Sequence, residues 1–189
     1  MTETDTTTTG ASESSGNIKN YEDVTVYGLD ADTEDQLIAE QKELSFCWVT
    51  KDGSPMGVIM SYLRDDDGVF WMTASGQRKR VPAIRRDGRV VMVISSPGTS
   101  MGPGKTVTYK GHATVLDDEA TKAWFYPALA ERLYGGRGEE RVQEFANMLN
   151  SPRRIVIRVD PGLRVGYDGA KMAAATAKAR AEGDLSWDD

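Results

Sequence analysis

Short apolar runs separated by tight turns constrain this chain more than anything else in it. The run 44–50 (Leu-Ser-Phe-Cys-Trp-Val-Thr) is followed by Lys51-Asp52-Gly53-Ser54-Pro55. The run 56–63 is closed by Arg64-Asp65-Asp66-Asp67-Gly68. Residues 69–73, Arg89–Ser95 and Lys105–Leu116 are three further runs, and a loop rich in Gly, Pro and Ser over 96–104 precedes the last. Runs of this length between turn residues read as strands joined by hairpins. One short helical stretch, Ala83-Ile84-Arg85-Arg86-Asp87, interrupts the series after the third strand. The alternation of strand and helix that a parallel sheet needs is missing, and no G-x-G-x-x-G follows the first strand, so a dinucleotide-binding Rossmann domain is disfavoured. These signals give a mainly β (α+β) chain: an antiparallel barrel with peripheral helices.

Helical patterns flank the strands. Residues 32–41 predict a short helix with Leu37 and Ile38 as its apolar face. Asp118 is placed to cap a helix that runs through Trp124 to Leu133, with Pro127 kinking or restarting it. Residues 139–149 put Val142, Phe145, Ala146 and Leu149 on one face. A sixth strand over 153–159 and a seventh over 163–167 follow, then an Ala-rich helix over 170–181. Residues 1–18 are Thr, Ser, Glu and Gly with almost nothing apolar, and are expected to be a disordered tail. Residues 19–189 are expected to form a single domain.

The chemistry concentrates between the third strand and the short helix. Val69-Phe-Trp-Met-Thr-Ala-Ser-Gly-Gln-Arg-Lys-Arg80 delivers Thr73 and Ser75 at a strand end, then Gln77 and the cations Arg78, Lys79 and Arg80. Backbone N–H groups at such a turn, beside guanidinium and ammonium groups, suit an anionic ligand such as a phosphate. The whole chain carries a net charge of -6, so this cluster is a local feature. The bland reading of three consecutive cations is a solvated helix end.

Other classes are excluded or disfavoured. The single cysteine, Cys47, cannot form an internal disulfide and reads as a small buried hydrophobe in a reducing, cytoplasmic setting. With one Cys and one His (His112, on the fifth strand) a Cys/His zinc site is not available, and no metal is expected. No run approaches the roughly 20 apolar residues of a membrane span, and the acidic balance argues against nucleic acid. Neither membrane nor nucleic acid is expected as a partner.

Three local patterns, in this order and spacing, resemble one family. The first is the opening hairpin with Asp52-Gly53-Ser54-Pro55. The second is Phe70-x-x-Thr73…Gln77-Arg78-Lys79, then Arg85-Arg86-Asp87-Gly88-Arg89-Val90. The third is Thr106-Val-Thr-Tyr-Lys-Gly111-His-Ala113, similar to a "V-x-V-x-G-x-A" strand. Over about residues 44–167 the chain resembles the pyridoxamine 5'-phosphate oxidase-like split β-barrel superfamily, which includes flavin- and deazaflavin-dependent oxidoreductases.

The resemblance implies a split antiparallel β-barrel of the FMN-binding type, built as a homodimer with the cofactor at the interface. It implies that Thr73, Arg78 and Lys79 hold a flavin and its phosphate, with Ser75, Gln77 and Arg80 beside them. Gln77 stands where the family often has serine. Lys105 and Thr106 open the strand that reaches the isoalloxazine ring in relatives. The implied activity is an F420- or FMN-dependent oxidoreductase that moves a hydride to or from a small organic substrate. Two alternatives stand beside it: a carrier or sensor of the same fold without turnover, and a relative that binds no ligand. No catalytic residue is assigned; Tyr109, Tyr167 and Lys105 are candidate proton donors by residue type, and Trp71, Trp124 and Trp187 are candidate ring-stacking residues. One departure matters. The phosphate-oxidase proper has an Arg and a Lys on its second strand, where this chain has Met56-Gly-Val-Ile-Met-Ser-Tyr62. F420-binding branches place the cofactor tail in a broader basic groove, which Arg78, Lys79, Arg80, Arg85 and Lys105 would line.

Overall fold

Period-two alternation of buried and open positions builds the sheet. In β1 (Glu43–Val49) Leu44, Phe46 and Trp48 are buried while Ser45, Cys47 and Val49 stay partly open. In β4 (Phe70–Ser75) Phe70, Met72 and Ala74 point inward, and Trp71, Thr73 and Ser75 outward. In β5 (Arg89–Ser95) Val90, Met92 and Ile94 are the inward set. The computed structural model describes residues 26–183. The tail over 1–18 and Trp187 lie outside the described residues.

The remaining strands are β2 (Pro55–Ser61), β3 (Leu63–Arg64), β6 (Lys105–Leu116) and β7 (Arg154–Asp168). All pairings are antiparallel, in the order β2-β1-β5-β6-β7-β4-β3. The two edge strands, β2 and β3, are separated in the chain by Tyr62 alone. The chain therefore bends from one edge of the sheet to the other, and this wraps the sheet into a split barrel.

Helices stop the ends of the barrel. In α1 (Ala31–Glu40) Leu37 and Ile38 are buried, and Gln41 just beyond it donates to the Ser95 carbonyl at the end of β5. Glu34 of α1 is buried too, where it accepts from the Tyr109 hydroxyl and pairs with Arg164. In α2 (Arg80–Arg86) Val81, Ala83 and Ile84 are buried, and the helix leads into the start of β5. α3 (Glu119–Tyr134) and α4 (Glu139–Leu149) form a second layer on the outer face of β4 and β7. There Phe125, Tyr126, Leu129, Leu149 and Val156 make a separate apolar cluster. Asp118 caps α3 through the Thr121 N–H at 2.8 Å. α5 (Gly169–Ala181) follows β7 and has no buried residue.

Three expectations change. α3 runs through Pro127 without a break. Pro127 and Ala123, whose carbonyl loses its helical donor, are both exposed, so water can serve that carbonyl. The sixth and seventh strands are one, β7, because a register shift in β6 between Tyr109 and Gly111 lets the ladder run past Pro161. Gly111 is needed at that irregularity: a Cβ there would meet the Asp160 carbonyl oxygen at 2.8 Å. Cys47 is not in the core. It lies half-buried on the outward face of β1, its sulfur over Gly57.

Candidate functional site

β4 ends at Ser75 against the first residue of β7, Arg154. Thr73 faces outward, and its hydroxyl donates to the Ile155 carbonyl at 2.8 Å. Gly76 then donates its N–H to the Arg153 carbonyl at 2.7 Å, and a Cβ at Gly76 would sit 3.3 Å from that oxygen. The close approach explains the glycine and locks this turn to the start of β7. Arg78 N–H donates to the Ser75 carbonyl at 3.0 Å, and Val81 N–H to the Arg78 carbonyl at 2.9 Å. The N–H groups of Gln77 and Lys79 have no acceptor among the described residues.

Charge at this turn is uncompensated. Among the described residues, no carboxylate pairs with Arg78, Lys79, Arg80, Arg85, Arg153 or Arg154, although many other cations of the chain are paired. Gln77, Arg78 and Lys79 are exposed and Arg80 is half-buried. The Arg80 Nε is buried without an acceptor among the described residues. Burial and then repulsion from Arg78 hold its guanidinium below the usual arginine range. A buried unpartnered donor beside crowded like charges is an unfavourable arrangement in the free protein, which an anion would relieve.

Not every candidate joins this group. Ser75, Gln77, Arg78, Lys79 and Arg80 share the turn, and Arg85 lies on the helix that follows. Lys105 and Thr106 do not. They pair with Asp168 and Tyr167 at the far end of β7, whereas Ser75 pairs at its beginning. Lys105 is also paired with the Asp168 carboxylate, at 3.7 Å. The candidate proton donors are engaged elsewhere. Tyr109 is buried against Glu34, with burial and that carboxylate pushing its acidity down. Tyr167 donates to the Met172 sulfur at 3.2 Å. Trp71 and Trp124 stack edge-on at 4.8 Å, and the Trp71 Nε1 donates to Asp65.

Two cations beside this turn are absent from the sequence reading: Arg153 and Arg154. Nothing in a single sequence ties residue 154 to residue 75; the register of β4 and β7 does. Tyr126 of α3 is the other addition. It is 2% exposed, and its hydroxyl, near that of Thr73, makes no well-formed hydrogen bond among the described residues.

A second surface faces outward on the opposite half of the barrel. Ile59, Ser45, Val93, Thr108 and Val165 form one row across five strands, each paired with the next. Ile59 is 61% exposed and Val165 59%. Beside the row lies a cavity of about 600 Å³ walled by Cys47, Trp48, Val49, Pro55 and Val91, with Arg89 and Lys110 at its rim. Among the described residues no group of His, Cys, Asp and Glu is set to hold a metal ion, and no helix is long and apolar enough to cross a membrane.

A family model described as pyridoxamine 5'-phosphate oxidase matches residues 32–163 of the chain. No relative among the curated proteins matches. Among solved structures, a conserved hypothetical protein of Mycobacterium tuberculosis is similar with a TM-score of 0.65 at 19% identity, over 78% of this chain and 90% of that one. An F420 reductase is similar with a TM-score of 0.53 at 21% identity, over 69% of this chain and 94% of that one. The heme storage protein of Vibrio cholerae gives 0.55 at 12% identity, over 75% and 97%. At these identities the likeness is one of fold.

Proposed function

The chain belongs to the pyridoxamine 5'-phosphate oxidase family, and on that premise we propose that it is an oxidoreductase that holds coenzyme F420 or FMN by its phosphate at the Ser75–Arg80 turn. The observation that carries this reading is the set of cations without carboxylate partners around the buried, unsatisfied Arg80 Nε. Arg78 and Lys79 supply charge to the phosphate, and the N–H groups of Gln77 and Lys79 supply directed donors. The Thr73 hydroxyl is committed as a donor to Ile155, so toward a ligand it acts as an acceptor. When bound, the cofactor supplies hydride transfer to or from a small organic substrate.

The residues fit F420 better than FMN. The solvent-facing strand β2 carries Met56, Val58 and Ile59 and no cation to grip a compact phosphate. The turn, in contrast, offers more positive charge than one phosphate requires, and F420 has a phosphodiester and a polyglutamate tail. Titration of both cofactors at two ionic strengths tests the choice. Tighter F420 binding that weakens with salt is expected, since exposed tail contacts are screened. FMN that copurifies stoichiometrically and resists displacement by F420 rejects the preference while leaving the phosphate site standing.

The same reading includes a homodimer. The row from Ile59 to Val165 leaves apolar side chains in water, and a second copy would cover it. Such a self-complementary contact is the usual basis of a twofold dimer, and a stable one buries about 800 Å² per partner. Sedimentation at micromolar concentration is expected to give a dimer, and Val165→Glu, which places a carboxylate in the row, a monomer. A monomeric parent protein rejects the interface.

A holding role without turnover is favoured by one observation: within one chain Tyr109, Tyr167 and Lys105 are all bonded at the far end of β7, so that only a second copy could bring one of them to the turn. Absence of cofactor oxidation or reduction in a protein that binds F420 tightly would select that role.

A further inference from the structure

We propose that Arg154, backed by the buried hydroxyl of Tyr126, forms a second anion position next to the Ser75–Lys79 turn, so that the ligand of this site carries two anionic groups close together. The inference rests on the reading of that turn as a phosphate site and names the class of ligand more narrowly: a diphosphate, or a phosphate with a carboxylate nearby.

The placement follows from the sheet. Ser75 and Arg154 are directly paired across β4 and β7. Side chains of directly opposed residues share a face and lie about 5 Å apart at Cβ. Arg154 therefore stands beside Ser75 on the outer face, two residue pairs beyond Thr73 and Val156 and so on their side of the sheet. The Gly76 bond to the Arg153 carbonyl fixes the two segments against each other.

The chemistry comes from what these groups lack. Tyr126 reaches the same face from α3, and its hydroxyl, near that of Thr73, is buried without a well-formed hydrogen bond among the described residues. Burial pushes the Tyr126 hydroxyl's pKa up; the neighbouring Thr73 hydroxyl, Lys122 and Arg154 offset this only in part, and Asp117 adds to it. Lys122 is already neutralised, by Asp117 at 2.7 Å and Glu119 at 3.0 Å. Arg154 has no carboxylate partner among the described residues. One cation and one buried donor are thus left over on the outer face of the sheet, while the cations of the turn lie past its end. A single phosphate held by Arg78 and Lys79 leaves both unused.

Calorimetric titration of the full-length protein with inorganic phosphate and with pyrophosphate tests this. Pyrophosphate is expected to bind at least about tenfold more tightly, the lower bound for a charge-assisted contact. Arg154→Gln is expected to abolish that preference and to leave phosphate binding within about twofold. Tyr126→Phe removes only an unpartnered hydroxyl, so the fold persists, and the preference is expected to fall by about threefold or more. Unchanged pyrophosphate binding in both variants overturns the second position. Equal loss of both ligands in Arg154→Gln also overturns it, because Arg154 then belongs to a single site. Lys79→Ala separates the two readings. Loss confined to Lys79→Ala rejects the Arg154 position; loss confined to Arg154→Gln rejects the turn as a phosphate site, and with it the two-group ligand.

Discussion

Lys79→Ala is expected to weaken F420 or FMN binding by about ten- to a hundredfold, the range set by one charge-assisted hydrogen bond of about 1.5–3 kcal/mol. The effect should be confined to binding. Lys79 is exposed and makes no ion pair among the described residues, so the folded protein loses no internal contact with it. Its backbone sits in the right-handed helical region immediately before α2, a conformation alanine adopts readily. The melting temperature of the ligand-free protein should therefore stay where it is, or rise slightly as like charges separate from Arg78 and Arg80. Fluorescence or absorbance titration reads the affinity, and a parallel thermal melt reads the fold. Unchanged affinity in a folded variant would reject the turn as the phosphate site. A Lys79→Arg variant should retain most of the affinity, because it keeps the charge.

Much of the fold was legible because strands and turns are written locally. Turn residues end the runs that became β1 and β2, and Gly53 takes the positive φ of 86° that its hairpin demands. The short helix after the third strand, the cap at Asp118 and the long β6 all fall where local pattern puts them. The misreadings have a shared cause: they concern what neighbouring elements permit. Pro161-Gly162 looks like a strand end in isolation. In the sheet, β4 stops pairing with β7 at Val159, so beyond that point β7 has a free side where a proline costs no ladder bond. Pro127 looks like a helix break, but it sits on the solvent side of α3, where its missing N–H is not felt by the core.

The grouping of the candidate residues was half legible for the same reason. Thr73, Ser75 and the cations after them are contiguous, so their grouping needs no knowledge of the fold. Lys105 and Thr106 were joined to them only through the family resemblance. Within one chain they lie at the other end of β7, and any shared ligand must reach them from a second copy or not at all. Arg153 comes from the turn before β7, Arg154 from its first position and Tyr126 from α3. Their approach to Ser75 depends on a register and a helix packing that period-two alternation cannot specify. Cys47 shows the limit of composition: the residue type favours burial, but its position in β1 puts it on the outward face.

Tyr62→Ala is expected to destabilise the protein by about 3–5 kcal/mol, the usual loss for a large buried aromatic. The ring is fully buried, and it is the one residue between β2 and β3, where the chain passes from one edge of the sheet to the other. It packs on Phe70 with centroids 5.7 Å apart, and the Arg132 guanidinium of α3 lies 4.9 Å above it. Its hydroxyl donates to the Ile38 carbonyl at 2.9 Å, tying α1 to the closure. Burial pushes that hydroxyl's pKa up to about 12, so it is a donor at any ordinary pH. Arg132 then reaches the carbonyls of Tyr62, Ile38 and Gln41 at 2.9, 2.6 and 2.8 Å, joining the outer helical layer to the same seam. Alanine removes the ring that Arg132 covers and leaves a cavity between Phe70 and α1. Tyr62→Phe keeps the ring and loses only the bond to Ile38, which should cost about 1 kcal/mol. Urea unfolding of the parent and both variants reads the difference. A loss in Tyr62→Ala no larger than that in Tyr62→Phe would mean that the barrel is closed by the strands alone. A large loss in the alanine variant and a small one in the phenylalanine variant places the closure in the packing of the ring.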